Sequence, residues 1–171
     1  MRKILIVVDM QNDFVTGSLA NKDAEAIVPK IAKFIAESDI ENVIFTRDTH
    51  EENYLDTQEG KGLPVKHCIN GTTGWNVVDE LVNIAEKSNK KITYINKEHF
   101  GFNCWDDILQ NGDEVYMCGT CTDICVASNA LTIKMIEGVT VNILADCCAG
   151  VTPQKHNSAI DVMQSCQCNI I

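Results

Sequence analysis

Three side chains in this 171-residue sequence stand where chemistry is plausible: Asp9, Lys97 and Cys125. Each directly follows, or lies close after, a short apolar run that reads as a buried strand. Residues 2–8 (RKILIVV) end in Asp9. Residues 91–95 (KITYI) stop just before Lys97. Residues 114–118 (EVYMC) lead through Gly119-Thr120 into a helical pattern that holds Cys125. In a parallel sheet all three strand ends fall on one edge, the edge where open α/β sheets bind ligands. A carboxylate can take a thiol proton, an ammonium can hold a thiolate or orient a substrate, and a thiolate can attack a carbonyl. Taken singly, each has a plain structural explanation: Asp9 as a turn cap, Lys97 as a surface lysine, Cys125 as a small buried hydrophobe. Their joint placement at strand ends is what favours chemistry.

The stretch 114–135 organises the rest. A strand and a tight turn feed a helix whose apolar residues recur at Ile124, Val126, Ala127, Ala130, Leu131 and Met135. Cys125 falls in its first turn. Unpaired N–H groups and the helix dipole favour negative charge there, so a lowered thiol pKa is expected.

A second constellation follows the second strand. Asp48 and His50, then Glu59 and His67, offer oxygen and imidazole donors suited to a divalent metal. Their plain alternative is a solvated loop, given the neighbouring Glu51 and Glu52. Cys118, Cys121 and Cys125 raise a rival of another class: a non-catalytic thiol protein binding a metal or cluster.

The elements that position these residues read as strands alternating with helices. Strands are expected at 2–8, 42–46, 91–95, 114–118, 140–144 and 168–171. Helices are expected at 23–37, 75–87, 104–110, from 122, and from Pro153 to about 164. Pro29 sits awkwardly inside the first of these helices. The long polar stretch 47–74 reads as a functional loop, and 146–152 as another loop. Short β-branched runs suit strands buried on both faces. The alternation predicts a three-layer α/β/α fold, with a six-stranded, mostly parallel sheet and right-handed crossovers. The length fits one domain over residues 1–171.

Composition narrows the function. A net charge of −10 argues against nucleic acid or an anionic membrane as partner. No apolar run approaches the roughly 20 residues of a membrane helix. The run after Met1-Arg2-Lys3 stops at Asp9 without a cleavage site, so no secretory leader is expected. Nine cysteines, odd in number and unevenly spaced, are then expected as reduced thiols in the cytoplasm.

The sequence resembles the isochorismatase-like cysteine hydrolases, and within them the nicotinamidases. The matching stretches are residues 6–14 (IVVDMQNDF), 46–50 (TRDTH), 64–72 (PVKHCINGT), Lys97 and 119–126 (GTCTDICV). The resemblance implies an Asp9–Lys97–Cys125 triad and a non-proline cis peptide at Thr120–Cys121. It also implies an oxyanion hole from the N–H groups of Cys121 and Cys125. Metal ligands would be Asp48, His50 and His67, with Glu59 added as in some members. The ion would be zinc, with iron or manganese as alternatives, and in nicotinamidases it holds the substrate's pyridine nitrogen. Phe14 and Phe100 are candidates to pack against a flat ring, or else are ordinary core aromatics. The implied activity is hydrolysis of nicotinamide to nicotinate and ammonia through a Cys125 thioester. The partner is therefore a small-molecule amide, and a homo-oligomer is admitted. Two departures leave another small amide open as substrate. Leu63-Pro64-Val65-Lys66 lacks the aromatic common before the His-Cys pair, and Cys121 replaces the usual alanine of the turn.

Overall fold

The computed structural model describes residues 1–171. Six strands form one sheet: β1 Lys3–Val8, β2 Asn42–Asp48, β3 Lys91–Lys97, β4 Glu114–Thr120, β5 Thr140–Ala149 and β6 Asn169–Ile170. Their order is β3-β2-β1-β4-β5-β6 and every neighbouring pair is parallel. The helices are α1 Asn12–Val15, α2 Lys22–Glu37, α3 Gln58–Gly62, α4 Asp79–Lys87, α5 Ala127–Ile133 and α6 Pro153–Ser165. Helix α2 packs against α4, and α5 against α6, flanking the sheet.

β1 is central because its residues can be nowhere else. Ile4 to Val8 are all buried, each at 2 % exposure or less. Removing such a side chain from water contributes about 1.5–3 kcal/mol. β1 therefore sits between β2 and β4, where both of its faces are covered. Successive strands are added outward from β1 to β3 on one side and from β4 to β6 on the other, so the loops leaving β1 and β4 diverge and open a crevice between them. Gly119 allows β1 and β4 to approach there: a Cβ on it would lie 2.1 Å from the Val8 carbonyl oxygen, and its φ is +120°.

Several boundaries differ from the sequence reading, each for a tertiary reason. The fourth helix starts at Asp79 rather than 75. The residues before it are instead paired with the loop after β1: Asn12 N–H donates to Asn76 O (2.9 Å), and Val78 N–H to Met10 O (2.9 Å). β5 runs to Ala149 rather than 144. β5 bulges where β4 passes from Met117 to Gly119, and pairing resumes at Gly119–Cys148 and Thr120–Ala149. The helix expected from 122 opens as a wide π-type turn, Thr122–Val126, before α5. It ends at Ile133, leaving Met135 85 % exposed rather than on the buried face. The expected helix at 104–110 is a single 3₁₀ turn, Trp105–Asp107. Pro29 is tolerated within α2 because it faces solvent, where water can satisfy the freed carbonyl.

The start of β1 is tied to the start of β4 by Asp113, buried at 2 %. It accepts from Arg2 Nη2 (2.5 Å), Arg2 Nε (3.1 Å) and the Gln110 N–H (2.9 Å). Arg2 holds this carboxyl below the usual carboxylate range. Such a group stabilises the fold above its unfolded pKa, and the benefit fades as pH falls through the lower folded value. Asp113→Asn is expected to cost about 1.5–3 kcal/mol at pH 7 in urea denaturation. The gap to the unaltered chain should shrink on acidification below about pH 4.

Candidate active site

All three candidates for catalysis meet at the carboxyl edge of the sheet. Asp9 follows β1, Lys97 is the last residue of β3, and Cys125 lies in the turn after β4. Asp9 and Cys125 flank the crevice between β1 and β4. Lys97 arrives from two strands away: β2 lies between, and Asp48 at its end is in register with Lys97. The lysine side chain reaches across that end, so its ammonium Nζ stands 2.6 Å from Asp9 Oδ2, 3.6 Å from Asp48 Oδ1 and 3.7 Å from Cys125 Sγ. It also donates to the His99 carbonyl at 3.2 Å. Asp9 has a positive φ of 50°. Its Oδ1 accepts from the Thr46 hydroxyl at 2.6 Å, and that hydroxyl oxygen accepts from the Asp9 N–H at 3.1 Å.

Both charges are buried: Asp9 is 0 % exposed and Lys97 3 %. Burial raises the Asp9 carboxyl pKa against the pull of the Lys97 ammonium. Burial alone would lower Lys97, but the charges of Asp9, Cys125 and Asp48 outweigh it and the lysine is raised. The lysine therefore stays an ammonium, while the carboxylate is primed to take a proton.

Cys125 departs from expectation. Burial, reinforced by the Asp9 charge and only opposed by Lys97, pushes its thiol well above the ordinary value. The helix-end argument for a resting thiolate fails because the thiol is enclosed by the fold. A thiol in this setting could serve as a nucleophile only by giving its proton to a neighbouring base. The peptide bond Thr120–Cys121 is cis, as the resemblance implied. Cys121 is half-buried beside the same cavity as Cys125.

The second constellation also assembles. A parallel bridge between His50 and Ile69 brings the two histidine segments together, with the His50 N–H donating to Cys68 O (3.0 Å) and Asn70 N–H to His50 O (2.8 Å). Asp13 Oδ2 accepts the Cys68 N–H at 2.7 Å, which holds the residue after His67 in its φ of +47°. Asp48, His50, Glu59 and His67 then offer donor atoms within 4.8 Å of one another. Asp48 Oδ2 is 2.8 Å from His50 Nε2 and 3.4 Å from His67 Nε2. Glu59 Oε1 stands further off, at 3.7 and 3.9 Å from the same nitrogens.

This set fits a divalent cation on chemical grounds. His67 Nδ1 is 2.8 Å from the Val65 carbonyl, which can only accept, so Nδ1 carries a proton and the lone pair of neutral His67 is on Nε2. That lone pair faces the Asp48 carboxylate, two acceptors that need a cation between them. The buried Asp48 Oδ1 has no hydrogen-bond donor. Two carboxylates and two neutral imidazoles together balance a charge of two. Against its burial, the Lys97 ammonium, 3.6 Å from Asp48 Oδ1, favours the ionised Asp48 carboxylate. Cys118, Cys121 and Cys125 form no comparable ligand set: Cys118 lies in the β4 core, and their sulfurs do not converge as the Asp48 set does.

The constellations share one cavity of about 440 Å³, lined by Asp48, Glu59, His67, Cys121 and Cys125. Phe14, Leu63 and Phe100 contribute apolar wall. Phe100 is 47 % exposed, so it is no core aromatic. Phe14 lies 5.5 Å from the His67 ring, and Tyr54 packs on both histidines at 4.6 and 4.9 Å.

Sequence reasoning missed three supporting residues: Thr46, which holds Asp9; Tyr54; and Gln11. The buried Gln11 amide donates to Asp48 O (2.8 Å) and Trp75 O (2.9 Å) and accepts from the Asp48 N–H (2.7 Å). Its clamp on Asp48 fixes a metal-set residue to the strand that ends in Asp9. The signal was present: Gln11 and Thr46 stand inside the quoted stretches IVVDMQNDF and TRDTH.

The isochorismatase domain model matches residues 3–171. The nicotinamidase/pyrazinamidase of Mycobacterium tuberculosis is 26 % identical over 186 residues, covering 99 % of this chain and 98 % of that protein. The crystal structure of the Pyrococcus horikoshii pyrazinamidase in complex with zinc matches at a TM-score of 0.78 and 29 % identity, covering 100 % of this chain and 99 % of that one. The pyrazinamidase/nicotinamidase of Streptococcus mutans matches at a TM-score of 0.84 and 26 % identity, covering 99 % of each chain. By sheet order, site geometry and likeness along almost its whole length, this chain belongs to the isochorismatase family, with nicotinamidases and pyrazinamidases among its relatives.

Proposed function

We propose that this chain is a nicotinamidase-like amidohydrolase that converts nicotinamide to nicotinate and ammonia through a thioester on Cys125. One observation carries the reading: the Lys97 ammonium bridges the Asp9 carboxylate and the Cys125 thiol, and that thiol lines the same cavity as Asp48, Glu59 and His67. Asp9 takes the Cys125 proton as the sulfur attacks the carboxamide carbon, and Lys97 balances the negative charge. The Cys121 and Cys125 N–H groups receive the tetrahedral oxyanion. Asp9 then gives its proton to the departing amine, and ammonia leaves as the C–N bond breaks. In the second half Asp9 takes a proton from water, whose oxygen attacks the thioester carbon. The carbon–sulfur bond breaks and the thiol regains its proton. Phe14 and Phe100 sandwich a flat ring.

Asp48, His50 and His67, with Glu59 as an additional donor, would hold a divalent ion; zinc is assigned first, and iron or manganese also suits the donors. When bound, it supplies a Lewis acid that anchors a ring nitrogen. We assign the chain to the cytoplasm, a setting in which its nine cysteines would stay reduced. No helix is long and apolar enough to cross a membrane.

The test is ammonia release from a panel of small amides, with the metal content measured alongside. Nicotinamide should be turned over, chelation should raise its KM by tenfold or more, and added divalent metal should restore it. A fully metallated protein that ignores nicotinamide but hydrolyses another amide would shift the substrate to the second reading, which Leu63 in the cavity wall favours.

A further inference from the structure

Residues 98–103, which carry Phe100 from β3 to the Trp105 turn, form no hydrogen bond between their backbone and any other backbone group. A segment with no such bonds should wander. Phe100 nevertheless stands as a wall of the cavity. The segment is held from below by side chains. Lys97 Nζ donates to the His99 carbonyl at 3.2 Å. The remaining backbone bonds come from one residue, Asn129 on α5.

Asn129 is 0 % exposed. Its amide nitrogen donates to Phe100 O at 3.1 Å and to Cys125 O at 2.7 Å. Its carbonyl oxygen accepts from the Phe102 N–H and the Trp105 indole N–H, both at 2.9 Å. All its hydrogen-bonding capacity is used, and a fully satisfied buried amide has a single orientation. A residue that favours local backbone bonds and weakens helices needs such a reason to lie inside one.

We propose that Asn129 is a positioning residue that fixes the Phe100 wall at a set distance from the Cys125 turn, and so determines how tightly the enzyme holds an aromatic amide. This rests on the hydrolase reading for its kinetic consequence but not for the anchoring itself. Asn129 does not line the cavity and meets Cys125 only at its backbone carbonyl, not at the sulfur. It acts through Phe100, so its loss should be felt in binding more than in the bond-making step.

Two variants test it. Asn129→Ala removes all four bonds. Asn129→Asp is nearly isosteric: it keeps acceptors for Phe102 and Trp105 and removes the amide donor to Phe100 O and Cys125 O. Hydrogen exchange followed by mass spectrometry should accelerate in Asn129→Ala at the Phe102 amide, the one backbone N–H of the segment that Asn129 holds, with α2 and α4 unchanged. KM for nicotinamide should rise about tenfold while kcat stays within about threefold. In a Phe100→Ala background, the same Asn129 substitution should move KM by less than about twofold, because the wall it aims is gone. Unchanged exchange at the Phe102 amide in Asn129→Ala would overturn the proposal. So would a fall in kcat at constant KM, or KM effects of Asn129→Ala and Phe100→Ala that multiply independently. An unaltered enzyme that releases no ammonia from any amide would sink the hydrolase reading instead, and the exchange result would then decide the anchor alone.

Discussion

Cys125→Ala is expected to lower kcat/KM for amide hydrolysis by at least about 10⁴-fold, the scale of losing a covalent nucleophile. No other thiol can take over: Cys121 is half-buried on the same wall, but the Lys97 ammonium stands 3.7 Å from the Cys125 sulfur. Binding should survive, because Asp48, His50, Glu59 and His67 are untouched and Phe14 and Phe100 still line the cavity. Metal content and the affinity for nicotinate should therefore match those of the unaltered chain. Stability should change by no more than about 1–2 kcal/mol, since one small buried atom is removed. Turnover assays beside calorimetric titration of nicotinate separate the two effects. Parallel loss of activity and metal would instead point to a thiol that serves the metal, the rival suggested by the cysteine-rich turn.

Lys97→Met should have the largest effect on the fold. It leaves the Asp9 carboxylate, fully buried, without its partner at 2.6 Å. Breaking a buried pair by removing one member costs about 3–5 kcal/mol, because the remaining charge stays out of water. Part of that loss should be offset if Asp9 takes up a proton, towards which burial already drives it. Deleting both charges in Asp9→Asn with Lys97→Met should recover much of the stability, though both variants should be inactive. Urea denaturation of the two variants and the unaltered chain gives the comparison.

The sheet and the site were legible in the sequence to different depths. Runs such as residues 4–8 can only be a buried strand, and a polar residue just beyond such a run falls at the edge where this architecture binds ligands. Asp9, Lys97 and Cys125 were therefore readable from local pattern, and so was the pairing of Asp48 and His50 with His67. What was not readable depended on groups distant in sequence. Helix α4 gives up residues 75–78 because the loop after β1 needs their backbone partners. β5 gains five residues because it bulges opposite Met117–Gly119 and then pairs with β4 again. The pKa of Cys125 moves opposite to its helix position because burial is a property of the whole fold. Asn129 and Gln11 look like ordinary polar residues until the groups they satisfy are seen converging on them.

The central claim is that the Cys125 sulfur carries the acyl group during amide cleavage. Its most direct test is intact-protein and peptide mass spectrometry after rapid acid quench of enzyme turning over nicotinamide. Peptides containing Cys125 should gain one nicotinoyl group in place of a hydrogen, early in the reaction, and lose it as nicotinate forms. Nicotinate and ammonia produced at full rate by a Cys125→Ala variant, with no adduct on the unaltered enzyme, would contradict it.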